Sequence, residues 1–513
     1  MSEHKARHWS ETLSQEIVTK KTAPYVVASG ITTSGPTHMG TLCEFLYPSA
    51  LVKCLKDEKY SVEFVFVGDI MDALDNIPKP LEEFVFLKEH LGKPLSDVPD
   101  PYDCCQSYGD HFLNEVRNIM TSLEVPAKIL RANDLLAEGA YDPYAVLYQQ
   151  QRDKVRTIAE RVAALSGIAG LPEWVDILMP ICENCGKIAT TRTLSFNGDV
   201  IEYACDKDVK YTNGCGYHGT MRLNDHKYKL YWRLDWPSRQ DFLHVSAELA
   251  GVDHHTRGGS WDTCVMIHRE VLQKEPPIGR RFGFVLLHGK KYSKSKGIGL
   301  SVQEILDLAP SPLIKYRLFK PDLDENKEFD PTGHKLIQLY EEYNRAADLY
   351  EKGSAHKAED KMALAYSLST DRRRWRVDFA DLVVNYQIYQ DWGIVTQRLG
   401  DAEGVNYLRK YVESWVNQQY LPEEYVFKLG GQRVQTLAKE LVEFSEGLGE
   451  SMTDQQVHDH VYTFAREHNL KPPELFKALY CSLISKEHGP RLGRLVKALG
   501  VEKVKEMLAQ LYA

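Results

Sequence analysis

Four cysteines with the spacing of metal ligands lie between residues 182 and 215, and they are the strongest chemical signal in the sequence. Cys182 and Cys185 form a Cys-x2-Cys pair, and Cys205 and Cys215 follow in the same short segment. Zinc binds four nitrogen or sulfur ligands in a tetrahedron, and the tight first pair suits one corner of such a site. The spacing predicts a structural zinc site, with His218 as an alternative to Cys205. Unrelated buried thiols are the competing interpretation.

Two further segments carry residue types that bind phosphate. In the loop Ser29–Gly40, His38 follows small polar residues and directly precedes a predicted helix. The backbone N–H groups at a helix N-terminus, together with an imidazole, suit an anion. In the segment Lys290–Gly297, "KKYSKSKG", Lys291 and Lys294 can follow a phosphate chain as its charge grows in a transition state. Taken singly, a helix-capping loop and a solvated charged loop explain these two segments as well.

The elements around these segments predict an α/β domain with a parallel sheet. "PYVVASG" and "SVEFVFVGD" have the pattern of buried strands, "AKILRAND" reads as a third, and helical spacing lies between them. In such sheets ligands bind beyond the carboxyl ends of the strands. The loop with His38 and the acidic segment Asp69–Asp75 both follow strands, so we expect them at that edge.

Composition indicates an ordinary globular enzyme or binding protein. The chain has 513 residues, 26% of them charged, and a formal net charge of −9, which argues against non-specific coating of nucleic acid but allows a local basic groove. The first residues lack the apolar core of a signal peptide, and the apolar runs are too short to cross a bilayer. We expect a cytoplasmic protein with no membrane partner, and a monomer, although the sequence does not give the oligomeric state.

Considered together, the two phosphate-type segments resemble the paired signatures of class I aminoacyl-tRNA synthetases. His38 and Gly40 match the His-Ile-Gly-His signature, and Lys291–Ser295 matches the Lys-Met-Ser-Lys-Ser signature with tyrosine in place of methionine. Within that class the chain resembles the lysyl branch, because "ASGITTSGPTHMG", "YWRLDWPSR", "GVDHHTRGGSWDT" and "GPRLGRLVKALG" are similar to blocks of that family. The resemblance runs over nearly the whole chain.

Two positions depart from the family pattern. Thr41 stands where the first signature has its second histidine, and Asp75 and Asn76 stand where the family usually has an Arg-Lys pair. The resemblance therefore implies a divergent member, in which the contacts normally made at these positions differ.

The resemblance implies a lysine–tRNA ligase that uses ATP and Mg²⁺ to form lysyl-adenylate and then transfers lysine to tRNA(Lys). It assigns catalysis to His38, Lys291 and Lys294, and ATP binding to Pro36, His38, Gly40, Thr41, Gly258, Ser293 and Ser295. It assigns L-lysine binding to Gly30, Thr32, Glu44, Trp232, Asp235 and His254, with His255 as the alternative to His254. Glu44 is our first choice for the side-chain ammonium, because a buried ammonium needs a carboxylate or aromatic partner.

The same resemblance predicts the domain organisation. We expect a Rossmann-type catalytic domain, a zinc-binding insert and an all-α anticodon-binding region, divided as 1–180 (first half of the catalytic domain), 181–228 (insert), 229–310 (second half), 311–360 (connecting helices) and 361–513 (anticodon-binding domain). The basic runs "DRRRWR" and "GPRLGR" in the last region suit phosphate contact, and a solvated helix face explains the first equally well. The segment Pro321–Pro331 is the best linker candidate.

Two other functions compete with this hypothesis. The first is a class I synthetase for another amino acid, with glutamate the nearest, but a glutamate pocket needs a cation where this chain offers acids. The second is a tRNA-binding paralogue that has lost catalysis, which the Thr41 and Asp75–Asn76 departures favour and which His38 and the signature lysines oppose.

Overall fold

A computed structural model describes residues 8–168, 170–291, 300–330, 333–353 and 357–513. The chain forms two compact units. The first comprises Met1–Glu304, Ile314–Phe329 and His356–Ser369, and the second comprises Ile305–Leu313, Asp330–Ala355 and Thr370–Ala513.

The strands are short, and most lie in the first half of the chain. In chain order they are β1 (Tyr25–Thr32), β2 (Val62–Asp69), β3 (Lys128–Arg131), β4 (Leu178–Pro180), β5 (Arg192–Asn197), β6 (Val200–Cys205), β7 (Asp208–Val209), β8 (Thr212–Asn213), β9 (Tyr217–Arg222), β10 (Tyr228–Leu230), β11 (Ala247–Gly251), β12 (Ile278–Phe282), β13 (Val285–Leu287), β14 (Lys290–Lys291) and β15 (Lys327–Glu328).

Helices connect the strands and make up nearly all of the second unit. In chain order they are α1 (Trp9–Lys20), α2 (Met39–Asp57), α3 (Tyr108–Ser122), α4 (Ala132–Ala137), α5 (Asp142–Gln150), α6 (Arg152–Ser166), α7 (Trp232–Phe242), α8 (Ser260–Met266), α9 (Val302–Leu308), α10 (Ser311–Phe319), α11 (Gly333–Lys352), α12 (Lys357–Ser369), α13 (Phe379–Tyr389), α14 (Trp392–Leu399), α15 (Ala402–Asn417), α16 (Ala438–Glu446), α17 (Asp454–Glu467), α18 (Pro472–Ile484), α19 (Leu492–Leu499) and α20 (Val501–Tyr512). Among the described residues, every helix is too short or too polar to cross a lipid bilayer.

The first unit is built on a five-stranded parallel sheet with the order β12-β11-β1-β2-β3. The strand β1 lies in the middle and pairs with β2 along its whole length, from Tyr25 opposite Val62 to Thr32 opposite Asp69. The helix α2 crosses from β1 to β2 and packs on both strands. The predicted α/β sheet is confirmed, and its carboxyl edge carries the ends of β1, β2 and β11, so the residues beyond them can share a site.

The cysteine-rich segment forms a small β structure of its own. The strands β5, β6 and β9 form an antiparallel sheet, and β7 and β8 pair beside it. At its base β4 pairs with β10, so the entry and the exit of this segment lie side by side. The exit strand β10 leads within two residues into α7, which carries the sequence "WRLDWP".

The predicted linker Pro321–Pro331 is wrong for its centre. The strand β15 pairs in parallel with β13, so this part of the segment belongs to the first unit. Lys327 is buried, and its ammonium donates to the carbonyl oxygens of Leu323 and Glu325. The composition of the segment therefore did not indicate the short strand β15. A sequence does not distinguish a buried lysine that donates to carbonyl groups from a lysine exposed to solvent.

Candidate functional site

A cavity of about 590 Å³, which we call the His38 cavity, opens at the carboxyl edge of the sheet. Its lining comes from the loop after β1, the start of α2, the end of β11 and the segment between β12 and β13. The lining residues are Ile31, Thr32, Ser34, His38, Gly40, Thr41, Cys43, Glu44, Asn76, Pro78, Gly251, Asp253, His254, Phe282, Gly283, Phe284 and Val285. The lining therefore combines backbone and small side chains with two imidazoles, two carboxylates and two phenylalanine rings.

His38 is fixed at the N-terminus of α2. It is the N-cap residue, and its Nδ1 accepts a hydrogen bond of 3.2 Å from the Thr41 backbone N–H. Since Nδ1 is an acceptor, the neutral ring carries its proton on Nε2, which can donate to an anion. A side-chain carbon at Gly40 would come within 2.9 Å of the imidazole, so a glycine is needed beside the ring. The cap thus orients the imidazole and leaves it a donor.

A residue that follows the second signature segment in the chain lies beside His38. Ser301, just beyond the residues that the structure leaves undescribed, forms a backbone bridge with His38. The predicted residues Ser293, Lys294 and Ser295 lie outside the described residues, as does the side chain of Lys291. Their assignment to phosphate binding therefore stays a prediction.

A second cavity of about 330 Å³, the Trp232 cavity, adjoins the first and shares Ile31, Thr32, Glu44 and His254 with it. Its lining is far richer in charge. The lining residues are Ser29, Gly30, Ile31, Thr32, Glu44, Asp69, Asp72, Trp232, Trp236, Arg239, Glu248, Leu249, Ala250 and His254. Four carboxylates and one guanidinium line it, so the cavity favours a cationic ligand.

Two tryptophans of α7 form an aromatic wall of the Trp232 cavity. The rings of Trp232 and Trp236 stack with centroids 5.0 Å apart, and the guanidinium of Arg239 lies 5.3 Å from the Trp232 ring. His254 packs against both rings, whereas His255 stacks on Trp261 and does not line the cavity. The structure therefore brings His254, rather than its neighbour, to the predicted site.

The floor of the Trp232 cavity contains a buried network of charges. The Lys229 ammonium lies 2.9 and 2.8 Å from the two carboxylate oxygens of Asp69 and also contacts Asp72. The Thr32 hydroxyl donates to Asp72. Burial opposes ionisation of Asp72, but the adjacent Lys229 outweighs it and holds the pKa of Asp72 below its ordinary value. Lys229 thus neutralises part of the acidic lining.

The remaining carboxylates of the network have different surroundings. Asp235 is buried beside Arg239, at 3.8 Å, and does not line the cavity. Burial raises the pKa of Asp235 to about 6, although Arg239 opposes the shift. Burial also raises the pKa of Glu248, which accepts a hydrogen bond of 2.6 Å from Gln240. Glu44 accepts one of 3.2 Å from the Ser29 hydroxyl and lines both cavities.

Three predicted residues line neither of these two cavities. Pro36 and Gly258 are absent from both linings, and Asp235 lies behind the aromatic wall. The carbonyl oxygen of Gly258 instead accepts hydrogen bonds from Arg233 and Ser166. The structure thus gathers Gly30, Thr32, Glu44, Trp232 and His254 around the Trp232 cavity, and His38, Gly40 and Thr41 around the His38 cavity.

The four predicted cysteine ligands lie together. The ligand atoms of Cys182, Cys185, Cys205 and Cys215 are all within 4.8 Å of one another. The sulfurs of Cys182 and Cys215 are 3.6 Å apart, and those of Cys185 and Cys205 are 3.7 Å apart. A tetrahedral zinc with Zn–S bonds of about 2.3 Å needs sulfurs about 3.8 Å apart, so the geometry fits such an ion. His218 is exposed and outside this group.

A second group of metal-type ligands was not predicted. Asp100, Cys104, Cys105 and His111 also have ligand atoms within 4.8 Å of one another. One Asp100 oxygen accepts from the backbone N–H groups of Cys104 and Cys105, at 2.9 and 2.7 Å, and the other lies 3.2 Å from His111 Nδ1. This sulfur, nitrogen and oxygen set can hold a borderline-soft divalent cation. The adjacent cysteines and the histidine six residues after Cys105, near the start of α3, were the available signal.

Comparison with known proteins settles the family. The family model described as tRNA synthetases class I (K) matches residues 7–372. The chain is 31% identical to the lysine–tRNA ligase of Archaeoglobus fulgidus over 98% of this chain and 99% of that protein. This chain belongs to the class I lysyl-tRNA synthetase family.

Two further similarities differ widely in strength. A lysine–tRNA ligase of Thermoplasma acidophilum is 28% identical over 98% of each chain. A solved glutamate tRNA ligase from Elizabethkingia meningosepticum shares 11% identity and covers 95% of this chain and 99% of its own, with a TM-score of 0.40. That structural likeness is too loose to support any statement about the amino acid.

In this member of the lysyl family, the first basic run of the second unit is largely neutralised. Arg373 pairs with Asp348 and Glu351, and Arg376 pairs with Glu351. Trp375 is buried between Tyr343 and Tyr407 rather than presented to a base. The run "DRRRWR" therefore serves the packing of this unit to a large extent.

The second basic run of this lysyl family member borders a cavity of about 540 Å³. Arg491, Arg494 and Lys497 line it, together with Arg398 from α14. Arg494 is mostly buried and pairs with Asp378 and Asp381, at 3.2 and 2.6 Å, whereas Arg491 and Lys497 are more exposed. This surface offers more accessible cations than the first run.

Several residues of the cavities were not assigned a role from the sequence. Arg239 and Glu248 line the Trp232 cavity from α7 and β11, and Lys229 on β10 contacts two of its carboxylates. Their positions along the chain do not relate them to Glu44. Asn76, which departs from the family pattern, lines the His38 cavity. For Asp69, the end of a buried strand was the available signal.

Proposed function

We infer that the chain is a lysine–tRNA ligase, which activates L-lysine with ATP and transfers it to tRNA(Lys). The near full-length match to lysine–tRNA ligases supports this activity. The observation that carries the choice of amino acid is the lining of the Trp232 cavity. Four carboxylates face it against one lining guanidinium, and Lys229 offsets only part of the excess. Such a cavity attracts an ammonium group and repels the carboxylate of a glutamate side chain.

The Trp232 cavity suits the side chain of lysine in shape as well as in charge. The stacked Trp232 and Trp236 rings offer an apolar wall for the methylene stem. Glu44 is our candidate for the ammonium group, because its carboxylate lines the Trp232 cavity on the side of α2. Gly30 and Thr32 border the same space from β1, and His254 borders it from the loop beyond β11.

The His38 cavity is our candidate for ATP. The α-carboxylate of lysine attacks the α-phosphorus of ATP, the bond to the bridging oxygen breaks, and lysyl-adenylate and pyrophosphate form. His38, Lys291 and Lys294 would bind the phosphates and stabilise the charge that develops, while Gly40, Thr41, Ser293 and Ser295 would contact the nucleotide. The class uses Mg²⁺ with ATP, and a bound Mg²⁺ would share the charge of the pyrophosphate. Little covalent chemistry falls to the protein, because positioning and charge stabilisation supply most of the rate.

The second step transfers lysine to tRNA. The terminal ribose hydroxyl attacks the carbonyl carbon of the adenylate, and AMP leaves with the bridging oxygen. We assign the contact with the rest of the tRNA to the helical region 361–513, with the surface around Arg398, Arg491 and Lys497 as the main phosphate contact. The division of the chain into the five segments given above belongs to this proposal.

We assign a structural zinc ion to Cys182, Cys185, Cys205 and Cys215. The sulfur separations and the donor set support this assignment. Because four cysteines leave no open position, the metal would stabilise the insert and would not take part in the reaction.

The test is ATP–pyrophosphate exchange with each of the twenty amino acids, first without and then with tRNA. Exchange with lysine alone is the expected result. Exchange with another amino acid would overturn the choice of substrate. Binding of tRNA without exchange would favour a non-catalytic paralogue, which the Asp75–Asn76 departure at the His38 cavity keeps as the second candidate.

A further inference from the structure

The strand that leaves the cysteine-rich insert delivers an ammonium group to the floor of the Trp232 cavity. Lys229 lies on β10, is 4% exposed, and places its Nζ 2.9 and 2.8 Å from the two oxygens of Asp69. The same Nζ contacts Asp72. The protein therefore carries, at this floor, the same functional group as the side chain of its proposed substrate.

The two acids that Lys229 neutralises both line the cavity. Asp69 ends β2, and Asp72 follows in the next turn, so both carboxylates lie at the carboxyl edge of the sheet. Together they form a cation position with two carboxylates, which is the arrangement that a lysine or a guanidinium ion prefers. If this position were open, it would compete with Glu44 for the cationic end of an amino acid.

The contact also reaches residues at the entrance of the cavity. Asp72 accepts a hydrogen bond from Thr32, at the end of β1. Arg239 stands behind the same acids, 4.0 Å from Asp69, but its guanidinium also lies over the Trp232 ring. Of the two cations, Lys229 makes the close contacts with Asp69, so its removal leaves that carboxylate without its nearest counter-charge.

We propose that Lys229 is a specificity-determining positioning residue, which occupies the cation position at Asp69 and Asp72 and so directs the side-chain ammonium of the substrate to Glu44. The inference rests on the proposed function, because it concerns how the same cavity chooses among cationic amino acids. Lys229 itself does not touch the reacting atoms. Its effect is to occupy two of the four carboxylates that line the cavity, Asp69 and Asp72, so that a cationic side chain does not bind there.

The inference makes a specific statement about discrimination between amino acids. Without the Lys229 ammonium, the pair of carboxylates can accept a guanidinium in a bidentate manner, so arginine should gain relative to lysine. A residue that only supports the fold would change stability and would lower the activity with every amino acid alike. The ratio of kcat/KM for lysine to that for arginine therefore separates the two roles.

The experiment uses the full chain with tRNA present and measures ATP–pyrophosphate exchange with lysine, ornithine and arginine. Wild type, Lys229→Met and Lys229→Ala are compared with Lys207→Met as the matched control. Lys207 is also a partly buried lysine, paired with Glu173 at 3.1 Å and with the Tyr231 hydroxyl at 3.0 Å, and neither of these partners lines the Trp232 cavity. The melting temperature of each variant is recorded beside the kinetics.

We expect Lys229→Met to lower the lysine-to-arginine ratio at least tenfold and Lys207→Met to leave it within twofold of wild type. Adding n-propylammonium to Lys229→Ala should restore part of the ratio, because the small amine can fill the space of the missing side chain. An unchanged ratio in folded Lys229→Met, or an equal loss in the control, would overturn the inference.

If the Lys229 variants melt below the assay temperature, their melting temperature and amino-acid preference are measured again with n-propylammonium present. Restoration of both folding and preference by n-propylammonium supports the inference, and its failure to restore either contradicts it. Wild-type exchange with lysine is measured in the same series. A wild type that does not activate lysine would refute the proposed function, whereas a lysine-specific wild type with unaltered variants would refute only the role of Lys229.

Discussion

The His38 cavity and the Trp232 cavity share a wall but differ in how they bind charge. The first places the capped imidazole of His38 at a strand-to-helix connection, and its lining is completed by residues that follow β2 and β11 and by the segment between β12 and β13. The second collects carboxylates and one guanidinium from β2, α2, α7 and β11, with Lys229 behind them on β10. This difference is the basis of our proposal that the first cavity binds an anion at a helix start, while the second selects a cation by the balance of charges from several elements.

The largest effect should come from the anion side. Replacing His38 by alanine removes a donor at the start of α2, and the loss of one such preorganised donor costs about 10²–10³ in rate. We expect kcat for lysine-dependent exchange to fall by that factor, while lysine binding, measured by tryptophan fluorescence, changes little. His255→Ala is the control, because that ring stacks on Trp261 outside both cavities. A loss of lysine binding equal to the loss of rate would erase the distinction between the cavities.

A smaller effect should come from the backbone of β1 beside the Trp232 cavity. A side-chain carbon at Gly30 would lie 2.7 Å from the carbonyl oxygen of Val67, between two paired strands. Overpacking of this kind costs about 1–3 kcal/mol, so Gly30→Ala should lose that much free energy of unfolding and also raise the KM for lysine. Urea denaturation and exchange kinetics measure both. Gly449→Ala is the control, because a side-chain carbon there meets no atom closer than 4.0 Å, and its free energy of unfolding should equal that of wild type. An unchanged free energy of unfolding in Gly30→Ala would contradict the close pairing of β1 with β2.

The residues at the start of α2 show what the sequence could predict. His38 and Gly40 are assigned through the resemblance of two segments to the paired class I signatures, because the strand–loop–helix pattern alone fits a helix-capping loop equally well. Glu44 follows from its place on the predicted helix after that loop.

The rest depended on contacts that no spacing encodes. Lys229 contacts the acids of the Trp232 cavity from β10, which pairs with β4, and Arg239 lines the same cavity from α7. Two adjacent histidines looked alike in sequence, and only the fold turns His254 toward the cavity and His255 onto Trp261. The run "DRRRWR" lies between α12 and α13, and its acidic partners Asp348 and Glu351 lie on α11. Because these partners are distant in sequence, the run looked like an unpaired basic patch.

The charge behind the aromatic wall should make stability depend on pH. Burial raises the pKa of Asp235 to about 6, above the value near 4 of an unfolded carboxyl, so the folded state holds an extra proton between these values. The stabilisation from that proton is complete below pH 4 and is lost as the pH rises through 6. Relative to Asp235→Asn, wild type should lose about 1–3 kcal/mol of unfolding free energy between pH 4 and pH 7. Urea denaturation at several pH values checks this, and parallel curves would contradict it.

The smallest kinetic effect should come from the cysteine-rich insert. Cys215→Ser should remove about one zinc per chain by elemental analysis, whereas Cys481→Ser in the second unit should remove none. Because β10 leaves the insert carrying Lys229, we expect the KM for lysine to rise about threefold and the KM for ATP to stay the same. Unchanged metal content would refute the zinc assignment. A change in the KM for ATP that exceeds the change in the KM for lysine would mean that the insert affects the His38 cavity instead.

The proposed selection of lysine depends most on Glu44, the carboxylate to which we assign the side-chain ammonium. The decisive measurement is the ratio of kcat/KM for lysine to that for norleucine, which lacks the ammonium group, in wild type and in Glu44→Gln. Charged hydrogen bonds in a cavity are worth about 1.5–3 kcal/mol, so we predict that the glutamine variant lowers this ratio about 10- to 100-fold with little change in the KM for ATP. A Glu44→Gln enzyme that still discriminates as wild type does would contradict the account and would move the ammonium site to another carboxylate.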